Sequence, residues 1–295
     1  MGNQVKKDGM QKTTSENFGL RLLRFRLSFL TATFIALLFL QGIASADEWK
    51  SEYAYGPFEI YLNVDMKAVS ASIEQIAALD KELSERFSLP PCKEKIKLYI
   101  FADVKSYTAY IQKEYPGAPM RRALFAMEKD KPGKVFTFLH EEFDVDLRHE
   151  CTHALLHAKI GRLPIWIDEG LAEYFEAPPG QRVFKESYFT QIKRNVSYNW
   201  ITPVPDIKKL ENIKKMGDFL EVHYRNSWSW MNFMINDPAR QKILGNYLVL
   251  CKKADEQEKE QGNFPSFTEL LDKTIPKYKT EYKAYWKELK KPTNP

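Results

Sequence analysis

Two histidines four residues apart constrain the folding of this chain more than any other feature of its sequence. His149 and His153 form the pattern HExxH, which apolar residues flank on both sides. The apolar periodicity predicts an α-helix over 146–158. On such a helix the two imidazoles lie one turn apart on the same face, about 6 Å along the axis, and both can reach one tetrahedral metal ion. The sequence therefore predicts a metal site on this helix.

HExxH alone also occurs by chance, and a second motif strengthens the metal prediction. The segment 164–175, PIWIDEGLAEYF, follows the histidines after ten intervening residues and predicts a loop that enters another helix over 167–176. Glu169 lies sixteen positions beyond His153, so the chain has room to turn and return this carboxylate as a third ligand. Three protein ligands leave the fourth position of a zinc ion to water, as in catalytic rather than structural sites. Glu150 would then lie beside the metal without binding it.

Other candidate ligands near the motif fail on geometry or pattern. His157 lies about 12 Å along the helix axis from His149, too far to share an ion, and is expected to be structural or to line the cleft. Cys151 is offset by about 200° from each histidine, which indicates a small buried residue rather than a ligand. A metzincin site would need a glycine and a histidine where the chain has Leu156 and Lys159, so that class is excluded.

The two motifs together resemble those of the gluzincins, the thermolysin-like and aminopeptidase-like group of zinc peptidases. Within this group the chain is similar to the small bacterial peptidase-MA-like domains, and the specific motifs cover roughly 30 residues, 147–175. The resemblance implies one Zn²⁺ per chain, with His149, His153 and Glu169 as its ligands. It also implies that Glu173, one turn beyond Glu169, orients a ligand histidine.

The expected activity is hydrolysis of peptide bonds. Zinc would acidify a water molecule and polarise the peptide carbonyl, while Glu150 takes the proton of the water as general base and later delivers it to the leaving amine. The oxyanion that forms needs a further donor. The resemblance places such a group in the helical half, where Tyr224 is the first candidate and His223 the alternative. A packing role is the other interpretation of Tyr224, because the chain has 15 tyrosines.

The strand directly before the metal-binding helix is expected to bind substrate. It consists of Val135, Phe136, Thr137, Phe138 and Leu139. As an exposed sheet edge it would pair with the backbone of an extended peptide, and the alternative is a sheet edge without a binding role. The expected partner is therefore a peptide or protein substrate, and the sequence leaves the oligomeric state open.

The periodicity of the whole chain predicts an α+β, zincin-like fold, with a small mixed sheet and the active-site helix followed by an all-helical lobe. Strands are expected at 57–64, 95–101 and 135–139, whereas the signals after residue 144 are nearly all helical. The predicted domains are a sheet-containing lobe over 47–176, which includes both metal-binding helices, and a helical lobe over 177–295.

Two further expectations concern a loop and a disulfide. The polar stretch 252–262 is typical of a solvated loop. Three cysteines allow at most one internal disulfide, and Cys92 with Cys251 is the plausible pair.

The first 46 residues form a predicted export signal. Three arginines precede the apolar run 27–40, and Ala44-Ser45-Ala46 follows it. Cleavage after Ala46 is expected; if it is not cleaved, the segment 27–46 is long enough to anchor the chain in a membrane. In either case the rest of the protein is expected outside the cytoplasm, periplasmic or secreted.

The charge distribution argues against nucleic acid as a partner. The chain carries a formal charge of +5, but residues 1–46 hold six Lys/Arg against two Asp/Glu. The remainder has 38 basic against 37 acidic residues and is nearly neutral.

Two other functions fit the same motifs. One is a zincin-like envelope protein that binds peptides or partners without cleaving them, although the intact Glu150 argues against it. The other is hydrolysis of a non-peptide amide, such as a cell-wall linkage, for which the zinc site would be identical.

Overall fold

A five-stranded mixed β-sheet forms the amino-terminal part of the fold. The computed structural model describes residues 49–92, 94–128, 131–198, 204–257 and 263–291. The strands are β1 (Ser51–Tyr55), β2 (Phe58–Leu62), β3 (Ile96–Phe101), β4 (Ala123–Ala126) and β5 (Lys134–Phe138). Their order in the sheet is β1-β2-β3-β5-β4, with β2, β3 and β5 parallel to one another and the two outer strands antiparallel to their neighbours.

The prediction that 135–139 forms the exposed sheet edge is wrong. Strand β5 lies between β3 and β4, and four of its five residues are buried, so it offers no free edge. The edge strand beside β5 is β4, which pairs antiparallel with β5 and places Phe125 opposite Val135. Its four residues, Ala-Leu-Phe-Ala, are all apolar and lack the alternation of apolar and polar residues that identifies a half-buried strand, so the pattern does not reveal β4.

Helices cover both faces of the sheet and make up the carboxyl-terminal half. They are α1 (Ser70–Phe87), α2 (Val104–Glu114), α3 (Phe143–Ile160), α4 (Ile165–Phe175), α5 (Glu186–Ser197), α6 (Ile207–Glu211), α7 (Glu221–Ile235), α8 (Pro238–Gln257), α9 (Phe267–Thr274) and α10 (Tyr278–Glu288). The predicted α+β class is confirmed. The loop predicted to begin at residue 252 is wrong as far as Gln257, because α8 continues that far, with Cys251 buried and Lys253, Glu256 and Gln257 exposed. Residues 258–262 lie outside the described ranges.

One hydrophobic core joins the sheet to the helical half. Ile100 of the sheet, Leu155 of α3 and Trp228 of α7 belong to the same buried cluster. Helices α4 and α7 approach closely at Gly170, where an added Cβ would lie 2.9 Å from Met231 Cγ. Residues Trp49–Pro295 accordingly form one compact unit. The predicted boundary near residue 176 is therefore a change in secondary structure across a shared core.

The three cysteines are all free thiols. Cys151 is fully buried, as predicted, but the predicted disulfide between Cys92 and Cys251 is wrong. Cys251 lies in α8, whereas Cys92 lies near Asp80 of α1, with 4.0 Å between its Sγ and a carboxylate oxygen.

The export prediction concerns a part of the chain beyond the described structure. Both the expected signal over 1–46 and the alternative anchor over 27–46 lie outside the described residues. Within the described ranges, none of the helices is both long enough and apolar enough to cross a membrane.

Candidate metal centre

Two helices joined by a short turn bring the three predicted ligands together. Helix α3 carries His149 and His153 and ends at Gly161, whose φ of 91° lets the chain leave the helix sharply. Pro164 then precedes α4, which carries Glu169 back towards the histidines. A turn of four residues is thus enough to place a carboxylate from the second helix against the imidazoles of the first.

The three ligand atoms form a nearly equilateral triangle. His149 Nε2 lies 3.2 Å from His153 Nε2 and 3.7 Å from Glu169 Oε2, and His153 Nε2 lies 3.6 Å from the same oxygen. An ion bound tetrahedrally with bonds near 2.1 Å separates two of its ligands by about 3.4 Å, so the observed spacings fit. His153 and Glu169 are each only 7% exposed. These three residues can therefore hold one metal ion.

Each of the two predicted ligand histidines has its other ring nitrogen, Nδ1, hydrogen-bonded to a carboxylate. His149 donates from Nδ1 to Glu176 Oε2 at 2.9 Å, and His153 donates from Nδ1 to Asp168 Oδ1 at 2.9 Å. A carboxylate can only accept such a bond, so the proton is on Nδ1 in both rings. In the neutral form of each ring, which metal binding requires, Nε2 then carries the lone pair that binds the ion.

The acid that orients His149 differs from the predicted one. Glu173 bonds Lys185 and, within the described residues, makes no hydrogen bond to a histidine. Glu176, three residues further along, takes that role, and Asp168 does the same for the second ligand histidine. Sequence reasoning missed both acids, although both lie in or directly after the acidic motif. Helical spacing places Glu173 and Glu176 on the same face as Glu169, and only the packing of α4 on α3 decides between them.

His157 is held by the same aspartate as the second ligand. Asp168 Oδ2 accepts from His157 Nε2 at 2.8 Å, while its other oxygen accepts from His153. The ring of Phe125 lies 5.3 Å from the His157 ring, and His157 lines two surface clefts. His157 is therefore a structural and cleft-lining residue, as expected.

Carboxylates surround the histidines with negative charge. Burial would lower the pKa of His149, but the hydrogen-bonded carboxylates of Glu169 and Glu176 raise it to about 10. The pKa of His153 is raised well above its ordinary value, against the effect of burial, by Asp168 and Glu169. Burial would raise the pKa of Glu169, yet the two histidines lower it to about 2. The cluster therefore favours positive charge, either as protons or as a metal cation.

Zinc binding at pH 7 is expected to release protons from this cluster. Neutral pH lies below the pKa of about 10 that the His149 imidazole has without metal, so the ring is protonated, whereas ligation requires a neutral Nε2. Titration calorimetry in buffers of different ionisation enthalpy should show about one to two protons released per ion. The zinc dissociation constant should fall as pH rises, up to about tenfold per unit for each proton released. A binding enthalpy independent of the buffer would contradict this prediction.

Glu150 is held between the ligand helix and the edge of the sheet. Its Oε2 accepts a hydrogen bond from the backbone amide of Phe125, in β4, at 2.7 Å. Glu150, His149 and Ala123 line one cleft of about 430 Å³. The carboxylate and the edge strand therefore face the same open space as a ligand ring.

A second cleft, of about 500 Å³, borders the third ligand. Asp168 and Glu169 line it together with apolar side chains, which are Leu163, Pro164, Ile165, Ile213, Met216 and Phe264. Open space thus reaches the ligand set both from His149 and from Glu169.

The two candidate oxyanion donors, Tyr224 and His223, have different surroundings. Burial and then the negative charge of Glu169 raise the pKa of Tyr224 to about 12, so the phenol stays protonated and can donate a hydrogen bond. His223 uses Nδ1 to accept the backbone amide of Leu220 at 2.9 Å, at the start of α7. His223 therefore caps the first turn of α7, whereas Tyr224 is close enough to Glu169 for the negative charge of that carboxylate to raise its pKa.

No protein-family model matches the chain, and no curated protein matches it either. The function of the centre is therefore inferred from its residues and their geometry.

Proposed function

We propose that the protein is a zinc-dependent metallopeptidase of the gluzincin type, with a zincin-like fold. The observation that carries the proposal is the convergence of His149 Nε2, His153 Nε2 and Glu169 Oε2 at 3.2, 3.6 and 3.7 Å from one another, with Glu150 held beside them. We further propose that it acts outside the cytoplasm, because a predicted export signal precedes the folded unit.

The ligand set favours one Zn²⁺ per chain over other common cations. Mg²⁺ and Ca²⁺ prefer sites made of oxygen ligands, whereas imidazole nitrogens suit zinc. Two histidines and one glutamate are a donor set of catalytic zinc sites. When bound, zinc would polarise the scissile carbonyl and acidify a water molecule.

Glu150 would move the protons of the reaction. Its carboxylate takes a proton from the attacking water and passes it to the amine that leaves, so one residue serves first as base and then as acid. The Phe125 amide orients Oε2 at 2.7 Å, and among the described residues no hydrogen bond engages the other oxygen. That second oxygen is the one available to a water molecule in the cleft.

The outer edge of β4 would bind the substrate backbone. Phe125 points its amide away from β5, since Glu150 accepts it, and in a strand the same direction recurs at every second residue. The next such residue is Ala123, which lines the cleft that holds Glu150 and His149. In the described part of the chain β4 pairs only with β5, so an extended peptide can add to its free side.

Replacing Tyr224 by phenylalanine is expected to lower kcat by about 100- to 1,000-fold, the usual effect of losing one oxyanion donor. Zinc affinity should stay unchanged, because Tyr224 is not among the residues that hold the ion. The matched variant is His223→Gln, which removes the cap of α7 and is expected to lower thermal stability more than kcat. The reverse result, with kcat lost in His223→Gln and kept in Tyr224→Phe, would make His223 the donor.

The proposal is tested by incubating the zinc-loaded protein with a diverse peptide library and identifying the products by mass spectrometry. Cleavage that stops on chelation and returns with added Zn²⁺ is the expected result. A protein that binds one zinc per chain and cleaves none of the peptides would contradict peptidase activity while leaving the metal centre intact.

A further inference from the structure

A buried acidic pair lies directly behind the metal centre. Glu173 lies in the last turn of α4 and Glu176 directly follows the helix, and they are 7% and 9% exposed. Two carboxylates so close together and so little hydrated can both stay ionised only with a cation beside them. The structure supplies Lys185, whose Nζ bonds Glu176 Oε1 at 2.6 Å and also bonds the carboxylate of Glu173. The ammonium also lies 4.1 Å from the centre of the Tyr188 ring.

Lys185 is linked to a metal ligand through Glu176. The glutamate gives one oxygen to the ammonium, at 2.6 Å, and the other to His149 Nδ1, at 2.9 Å. Both carboxylate oxygens are thus engaged, which fixes the plane of the carboxylate and with it the orientation of the imidazole. Lys185 therefore influences the orientation of His149 Nε2 through Glu176, which bonds the other nitrogen of the same ring.

Together with His149, the same acidic pair could bind a second metal ion. Ligand atoms of His149, Glu173 and Glu176 lie within 4.8 Å of one another, as do those of the proposed zinc site. Both sets share His149, so an ion in the second would bind the ring nitrogen that now bonds Glu176. The bonds of Lys185 to both carboxylates set its charge where such an ion would lie.

We propose that Lys185 is a positioning residue of the metal centre: it holds Glu176 against His149, and its ammonium keeps the acidic pair from binding a second metal ion. This inference rests on the proposed zinc site. Its consequence is a centre that stays mononuclear, with the Nδ1 proton of His149 retained.

The test removes the charge of Lys185 from the full-length protein and counts the ions that bind. Lys185→Met keeps much of the side-chain volume, and Lys185→Gln is a second neutral variant whose amide keeps a hydrogen-bond donor for Glu176. Zinc titration calorimetry and metal analysis after desalting should give one ion per chain for the wild type and two for both variants. Of the two sites in each variant, the one that binds zinc more tightly should still have an affinity about 10- to 100-fold below that of the single wild-type site, as is usual when a group that orients a ligand is lost.

Three matched variants separate this effect from a general loss of structure. Lys185→Arg keeps the positive charge and should bind one ion with nearly wild-type affinity. Adding Glu173→Gln to Lys185→Met removes one ligand of the second site and should return the count to one. Lys193→Met, in the helix α5 that follows Lys185, removes a lysine whose hydrogen bonds within the described residues go to the backbone oxygens of Lys287 and Leu289, and it should change neither the number of ions nor the affinity.

Imidazole nitrogen NMR gives a readout that packing alone would not move. With one ion bound, the His149 Nδ1 should be protonated in the wild type, and in Lys185→Met the second ion should displace that proton. One zinc per chain at wild-type affinity in both neutral variants would overturn the inference and leave the proposed function standing. A wild-type protein that binds no zinc would overturn both.

Discussion

Replacing Glu150 by glutamine is expected to lower the rate of peptide cleavage by about 100- to 10,000-fold, which is the usual contribution of a positioned general base. One zinc per chain should remain bound, because Glu150 is not one of the three residues whose ligand atoms converge. Glutamine has nearly the same shape and can still accept the Phe125 amide through its oxygen. The loss would therefore report the missing negative charge rather than a change of structure.

Glu142→Gln is the matched control for this experiment. Glu142 lines the same cleft as Glu150, but it is exposed and lies at the start of α3. Its replacement changes the charge of the cleft by the same amount and is expected to change the cleavage rate by less than about threefold. Turnover that is equal in Glu150→Gln and the wild type, measured with the same peptides, would remove Glu150 from the mechanism.

Replacing Glu169 by glutamine is expected to weaken zinc binding by more than about 100-fold and to abolish cleavage at micromolar zinc. A neutral amide oxygen is a poorer ligand than a carboxylate, and the variant leaves only His149 and His153 at full strength. The neighbouring replacement Asp168→Asn keeps all three ligands and changes the group that orients His153 and also bonds His157. It should cost about 10- to 100-fold in zinc affinity.

Competition with a chromophoric chelator measures both dissociation constants under the same conditions. The order of the two adjacent variants is the decisive result, since they differ by one position on α4 and remove the same charge. If Asp168→Asn lost more affinity than Glu169→Gln, Asp168 rather than Glu169 would be the third ligand.

The convergence of His149, His153 and Glu169 could be predicted from the sequence because it depends on short-range geometry. His149 and His153 are neighbours on any helix, and the turn of four residues before α4 leaves few places for Glu169. Most helices beyond the sheet were predictable for the same reason, since their apolar periodicity continues over ten or more residues. The strands at the centre of the sheet were also predictable, because their residues form nearly continuous apolar runs.

The errors concern contacts between segments that are distant in the chain. Strand β4 has four residues, and its place at the edge follows only from its pairing with β5. Cys92 and Cys251 could form a pair by count, yet both are free thiols in the folded chain. The polar sequence at the end of α8 is typical of a loop. The structure shows a helix there, which packs on the core through the buried Cys251.

The sequence by itself determined which residues meet at the metal centre, because a helix and a short turn leave the chain little freedom there. It did not determine what surrounds them. Only the tertiary structure decided that Glu176 orients His149, that Lys185 neutralises the acidic pair, and that the edge strand presents its amide to Glu150. The physical reason is that helical spacing leaves several acids on one face, and only the packing of a second element selects among them.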